Sequence, residues 1–266
     1  MQKYLLKQYQ FIFWISLSNN LSASVDAPKV WILINSWKRY SEWCEKIKTL
    51  LEKVKAWELN VKVAAIISKD WNGWERKEAY NSGIKFERLE YLSDKIDNPH
   101  NDKVQLQFVS NVYQSIVEKY WLEYIFLSNW QEYVAWLTPH KTIDTFIWNS
   151  KNQYMWLSEV ETCKRVLQEY KSWMIDKTFL TISYFNQDVD KLPIIAQIPV
   201  VLNQDDTIND IKNRIIQQEI NNIWKIYQLV VSKIITWSWD DNDEIQMDKD
   251  MLSRVNLSND IIFWTN

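Results

Sequence analysis

Apolar positions along the chain follow two rhythms, and each change of rhythm marks an element. "KVWILIN" (29–35) is a short apolar run of the kind that fills a buried strand, and "LNVKVAAIIS" (59–68) is a second. Between them Cys44, Ile47, Leu50, Leu51 and Val54 recur at three- and four-residue spacing, which predicts an amphipathic helix. A helix over 75–82 follows, stopped by Gly83, and "IKFERLE" (84–90) reads as an edge strand. Val104, Phe108, Val112 and Ile116 mark another helical face, ahead of strands in "LEYIFLSN" (122–129) and "KTIDTFIWNS" (141–150). A helix over "WLSEVETCKRVLQEY" (156–170) precedes strands in "KTFLTISYF" (177–185) and "LPIIAQIPVVL" (192–202), the second a candidate for antiparallel pairing. One long helical stretch over 206–235 opens on an Asp/Thr capping signal. Strands alternating with crossover helices predict right-handed βαβ units, hence an α/β fold with a mostly parallel central sheet flanked by helices.

No internal repeat and no Pro- or Ser-rich linker divides the chain, so one domain over 29–236 is expected. An N-terminal extension (1–28) precedes it and a C-terminal tail (237–266) succeeds it, whose "DDNDEIQMDKD" (240–250) is acidic enough to read as a solvated turn. The 266 residues are 47% hydrophobic, ample for a core, and the net charge of −3 offers no broad basic field to nucleic acid or an anionic membrane. Cys44 and Cys163 are far apart, and neither His100 nor His140 joins a ligand cluster, so no metal is expected and a reduced, cytoplasmic setting fits. No apolar run reaches the roughly 18 residues that span a bilayer. The first 27 residues carry a faint signal-peptide pattern, but the remainder of the chain fits the cytoplasm better.

Glycine and tryptophan change the picture. The chain holds 2 Gly and 17 Trp, whereas average usage of about 7% glycine would give roughly 18 or 19. The sum, 2 + 17 = 19, is ordinary, and only the split is abnormal. Trp57, Trp121, Trp136, Trp173, Trp237 and Trp239 lie where helices end or turns are expected, positions where glycine adopts left-handed backbone at no steric cost. Misdecoding would account for this: UGA codons that the source reads as glycine appear as tryptophan when translated with a table that assigns UGA to tryptophan. Trp43 and Trp224, inside helical text, are expected to be genuine, because helix interiors disfavour glycine. The alternative is a truly tryptophan-rich chain with carbohydrate-stacking platforms.

With glycine restored at 31, 37, 71 and 74, residues 29–42 read "KVGILINSGKRYSE" and 68–84 read "SKDGNGGERKEAYNSGI". The second string resembles the second unit of the glycinamide ribonucleotide formyltransferase family. "LPIIAQIPV" followed by "DDTINDIKNRIIQQEINNIWKIYQLVVSKII" is similar to that family's closing strand and helix in order and spacing. The resemblance covers about 29–236. It implies a Rossmann-like formyltransferase fold and transfer of the formyl group of 10-formyltetrahydrofolate, as co-substrate, to the amine of glycinamide ribonucleotide in purine synthesis.

The resemblance also assigns residues. Ser36, Trp37, Lys38 and Arg39 occupy the turn that binds the ribonucleotide phosphate, where a strand-to-helix turn presents N–H groups to an anion. The stretch Leu127 to Leu137 corresponds to the pteridine site, with Gln131 and Val134, joined by Gln187, as folate-binding candidates. Asp190 aligns with the family's catalytic Asp. Aligning "YMWL" (154–157) with the family's "YPGL" puts the catalytic Asn at Thr145 and the catalytic His at Ile147. Asn149, Asn152 and His140 fall at the wrong spacing to replace them. Thr145 retains a hydroxyl donor; Ile147 moves no proton. A weakened formyltransferase, one acting on another amine such as an amino sugar nucleotide, and a degenerate relative that binds nucleotide or folate without chemistry all remain open.

Overall fold

The computed structural model describes residues 27–34, 42–68, 74–88, 122–128, 142–148, 159–184, 193–237, 245–255, 257 and 261–264. Along them run β1 (Lys29–Ile34), α1 (Glu42–Lys55), β2 (Lys62–Ser68), α2 (Trp74–Asn81), β3 (Lys85–Arg88), β4 (Tyr124–Ser128) and β5 (Thr142–Trp148). Next come α3 (Glu159–Lys171), β6 (Lys177–Tyr184), β7 (Ile194–Val201), α4 (Ile208–Val231), β8 (Ile235–Trp237), β9 (Ile245–Met247), α5 (Lys249–Ser253) and β10 (Ile262–Phe263).

Eight strands make one sheet in the order β10-β7-β6-β5-β4-β1-β2-β3. The five strands from β3 to β5 run parallel to one another, as the βαβ reading predicts. The order reverses at β1, which pairs with β2 on one side and β4 on the other. In open α/β sheets ligands bind outside the carboxyl ends of the strands at such a switch point. Here Ile34 and Ser128, the last residues of β1 and β4, are register partners.

Antiparallel pairing was expected of the strand over 192–202, and β7 does pair antiparallel with both β6 and β10; the strand that runs against the parallel set is β6, which was not expected to. β6 is antiparallel to both β5 and β7, so β7 points the same way as β5. The reason is the point of entry: Phe179 pairs with Trp148, so β6 begins beside the end of β5 and must run back along it.

One apolar face of α4 closes the main core. Ile211, Ile223, Ile226, Tyr227 and Val230 lie over Leu180 and Ile182 of β6 and Ile195, Ile198 and Val200 of β7. Each such side chain contributes about 1.5–3 kcal/mol through burial. On α1, Ile47 and Leu51 pack with Ile32, Ile66, Ala79 and Ile84 in a second cluster. The capping signal is real: Thr207 accepts from the Asp210 N–H at 3.3 Å, while the Asp210 carboxylate accepts from the Thr207 N–H at 2.8 Å. Just before it, burial pushes the Asp206 carboxyl up, but Arg214 and the Asn203 N–H outweigh that and hold it below the usual range.

The long helix is shorter than its apolar pattern suggests. It ends at Val231, where Lys233 takes positive φ, and residues 235–237 enter β8 instead. The acidic stretch is likewise not all solvated turn, since Ile245 is buried in β9, paired with β8. β8 straddles the expected boundary at 236, and β10 from the tail pairs with β7.

The helix ends bear on the tryptophan question. Among described non-glycine residues, only Trp57, Trp173 and Lys233 have positive φ. Trp57 and Trp173 therefore sit in left-handed turns as expected. Trp237 does not: it lies in β8 with its ring 5.5 Å from that of Tyr184. Trp121, Trp136 and Trp239 lie outside the described residues.

Candidate functional site

The parallel register carries Thr145 to the carboxyl edge of the sheet. Phe126 pairs with Ile143, so two residues on Thr145 stands level with Ser128, the residue beside Ile34. Its side chain is buried, and its hydroxyl donates to Glu219 Oε1 at 2.5 Å. The Lys46 ammonium of α1 donates to the same oxygen. Three elements distant in sequence thus meet: α1, β5 and α4.

Lys46 is 1% and Glu219 4% exposed, so both charges are stripped of most of their water. An interior ion pair offsets that loss only when well hydrogen-bonded, and Thr145 supplies one such bond. Next to it, Asp144 Oδ1 accepts from the Thr145 N–H at 2.7 Å. Burial raises the Asp144 carboxyl from 3.8 to about 7; the Thr145 N–H and Lys46 pull it down, and Glu219 pushes it up again. Beyond them Tyr227, fully buried on α4, stacks on Phe126 of β4 with ring centroids 3.8 Å apart. Burial, then Glu219 and Asp144, push its phenol well above the usual value. Its hydroxyl has no hydrogen-bond partner among the described residues.

Chemically, this cluster holds a hydroxyl donor, a lysine–glutamate pair and a carboxyl that changes protonation near neutrality. Of the residues assigned from sequence, only Thr145 is described here, and its single proton is directed at Glu219. The backbone of Ile147 continues β5, paired with Leu180. Ser36, Trp37, Lys38, Arg39, Gln131, Val134, Gln187 and Asp190 lie outside the described residues. The first six follow β1 and β4 in sequence, whose last residues are register partners at the switch point.

Lys46, Glu219, Asp144 and Tyr227 were not anticipated. Two had a readable signal, a charge in apolar phase. Glu219 stands four residues after Ile215 and four before Ile223, and Lys46 stands four before Leu50. Among the described residues there is no group of three or more His, Cys, Asp or Glu able to hold a metal ion. No described helix is long and apolar enough to cross a membrane.

No family model and no curated protein matches the chain by sequence. Solved structures do match by shape. Glycinamide ribonucleotide transformylase 1 from Symbiobacterium toebii superposes with a TM-score of 0.60 at 14% identity, over 83% of this chain and 94% of that one. Phosphoribosylglycinamide formyltransferase from Anaplasma phagocytophilum gives 0.59 at 18%, over 85% and 96%. A formyltetrahydrofolate deformylase from Pseudomonas syringae pv. tomato gives 0.62 at 13%, over 84% of this chain but 67% of that one. With its strand order, its reversed β6 and these superpositions over most of its length, this chain has the Rossmann-like formyltransferase fold.

Proposed function

We propose that the protein transfers the formyl group of 10-formyltetrahydrofolate to the amine of glycinamide ribonucleotide, a step of purine synthesis, at a reduced rate. The observation that carries this reading is coverage. The chain matches 94% and 96% of two glycinamide ribonucleotide enzymes but only 67% to 70% of the deformylases. In the reaction the amine attacks the formyl carbon and a tetrahedral oxyanion forms. The bond to the folate nitrogen then breaks as that nitrogen takes up a proton. The resemblance assigns proton relay to Asp190, the phosphate to Ser36, Trp37, Lys38 and Arg39, and the folate to Gln131, Val134 and Gln187.

Thr145 and Ile147 explain the reduced rate. Losing an oxyanion donor costs roughly 10²–10³ in rate and losing an acid/base roughly 10²–10⁴. Thr145 reaches an oxyanion only by releasing Glu219. That bond favours a second reading, in which the protein binds nucleotide or folate without chemistry. Formation of formylglycinamide ribonucleotide, measured with both substrates saturating, decides between them. Slow turnover abolished by Asp190→Asn is the expected result. Ligand binding without turnover supports the second reading, and failure to bind either ligand overturns both.

A further inference from the structure

Four helices end in one backbone turn, but the residues at its tightest point do not belong to one class. After α1, α2, α3 and α4 the residue with positive φ is Trp57 (62°), Gly83 (67°), Trp173 (59°) and Lys233 (58°). Each donates to the carbonyl three residues back, Val54, Tyr80, Tyr170 and Val230, at 3.2, 3.0, 2.9 and 2.9 Å. Each succeeding N–H reaches five back, to Lys53, Ala79, Glu169 and Leu229, at 2.9, 2.8, 2.9 and 3.0 Å. This is the Schellman turn that glycine usually closes. Three of the four share a local sequence as well: Ser82-Gly83-Ile84, Ser172-Trp173-Met174 and Ser232-Lys233-Ile234.

A Cβ at Gly83 would meet nothing within 4 Å, so the demand for glycine there comes from φ and not from a neighbour. Left-handed backbone strains any residue with a Cβ, lowering the folding equilibrium constant about 5- to 30-fold per residue. A bulky side chain there is a true outlier. The two indoles gain nothing in return. Trp57 is 55% and Trp173 82% exposed, and among the described residues neither side chain makes a hydrogen bond or ring contact. Other tryptophans do. The Trp224 ring lies 4.5 Å from the Lys53 ammonium, and the Trp264 indole N–H donates to Gln197 at 3.0 Å.

We infer that the native polypeptide carries glycine at 57 and 173, encoded by UGA that the source reads as glycine. The tryptophans there come from translation with a codon table that assigns UGA to tryptophan. The excess of tryptophan over glycine, 17 to 2, is then the mark of one reassigned codon added to genuine tryptophans such as Trp224. Lys233 is an internal control, since reassigning UGA leaves lysine untouched and its strain is native. The exposed indoles at 57 and 173 are therefore not a docking platform.

Peptide mass spectrometry of the protein purified from its own cells tests this directly. Glycine at both positions is expected; tryptophan at either overturns the inference. Urea denaturation of the polypeptide that carries tryptophan at both positions gives an independent reading. Trp57→Gly and Trp173→Gly should each raise the folding equilibrium constant several-fold, while Trp224→Gly, in a helix interior, should lower it. A loss at 57 and 173 equal to that at 224 would show that the indoles belong there.

Discussion

Helix α4 crosses two different interiors. Around Ile223, Ile226 and Val230 it rests on aliphatic side chains of β6 and β7, and all three residues are 1% exposed or less. One turn earlier, Glu219 is almost as deeply buried, yet it faces Lys46 and Thr145. The first region needs no account beyond burial. In the second, apolar side chains of similar volume would serve stability at least as well, so the charges there are better explained by the strand edge they adjoin. Thr145 stands level with the strand ends of the switch point, where open α/β sheets in general bind their ligands.

The comparison breaks most sharply at Glu219. Glu219→Leu takes away the carboxylate to which the buried Lys46 ammonium donates and should cost about 3–5 kcal/mol in urea denaturation. Adding Lys46→Met should recover most of that loss. A single variant as stable as the wild type would mean the two charges are not paired. In the aliphatic region Ile226→Ala should cost about 2–5 kcal/mol, and no second substitution at Lys46 should recover any of it.

A smaller effect separates the regions by pH. Asp144 holds its proton up to about 7 in the folded chain, against 3.8 ordinarily. Between those values the folded state binds more protons than the unfolded one, so stability falls as pH rises from about 4 to 7 and levels off above. Asp144 keeps some solvent contact, which limits the effect to about 1–2 kcal/mol. Asp144→Asn should flatten this slope and stabilise the protein at pH above 7. Thermal denaturation across that range checks it, and an unchanged slope would place the titrating group elsewhere.

Much of the sheet was legible because buried strands are written as apolar runs: β1, β2, β4, β6 and β7 all fall within runs read as strands. The end of α4 was not legible. Lys233 carries none of the signature that Gly83 gives, so the apolar phase ran on into β8. The hairpin of β8 and β9 was hidden by acidic neighbours around Ile245 and Met247. The site was half legible. Resemblance led to Thr145, but its partner Glu219 is 74 residues away, and Lys46 is 173 residues from Glu219. Helical spacing marks a charge as buried without naming what it will meet.

The central claim is that this fold still moves a one-carbon group. A single-turnover experiment with 10-formyltetrahydrofolate labelled at the formyl carbon tests it most directly. The account predicts slow appearance of label on the amine of glycinamide ribonucleotide with the wild-type chain and none with Asp190→Asn. Label that never leaves the folate, or that transfers equally well without Asp190, would contradict it.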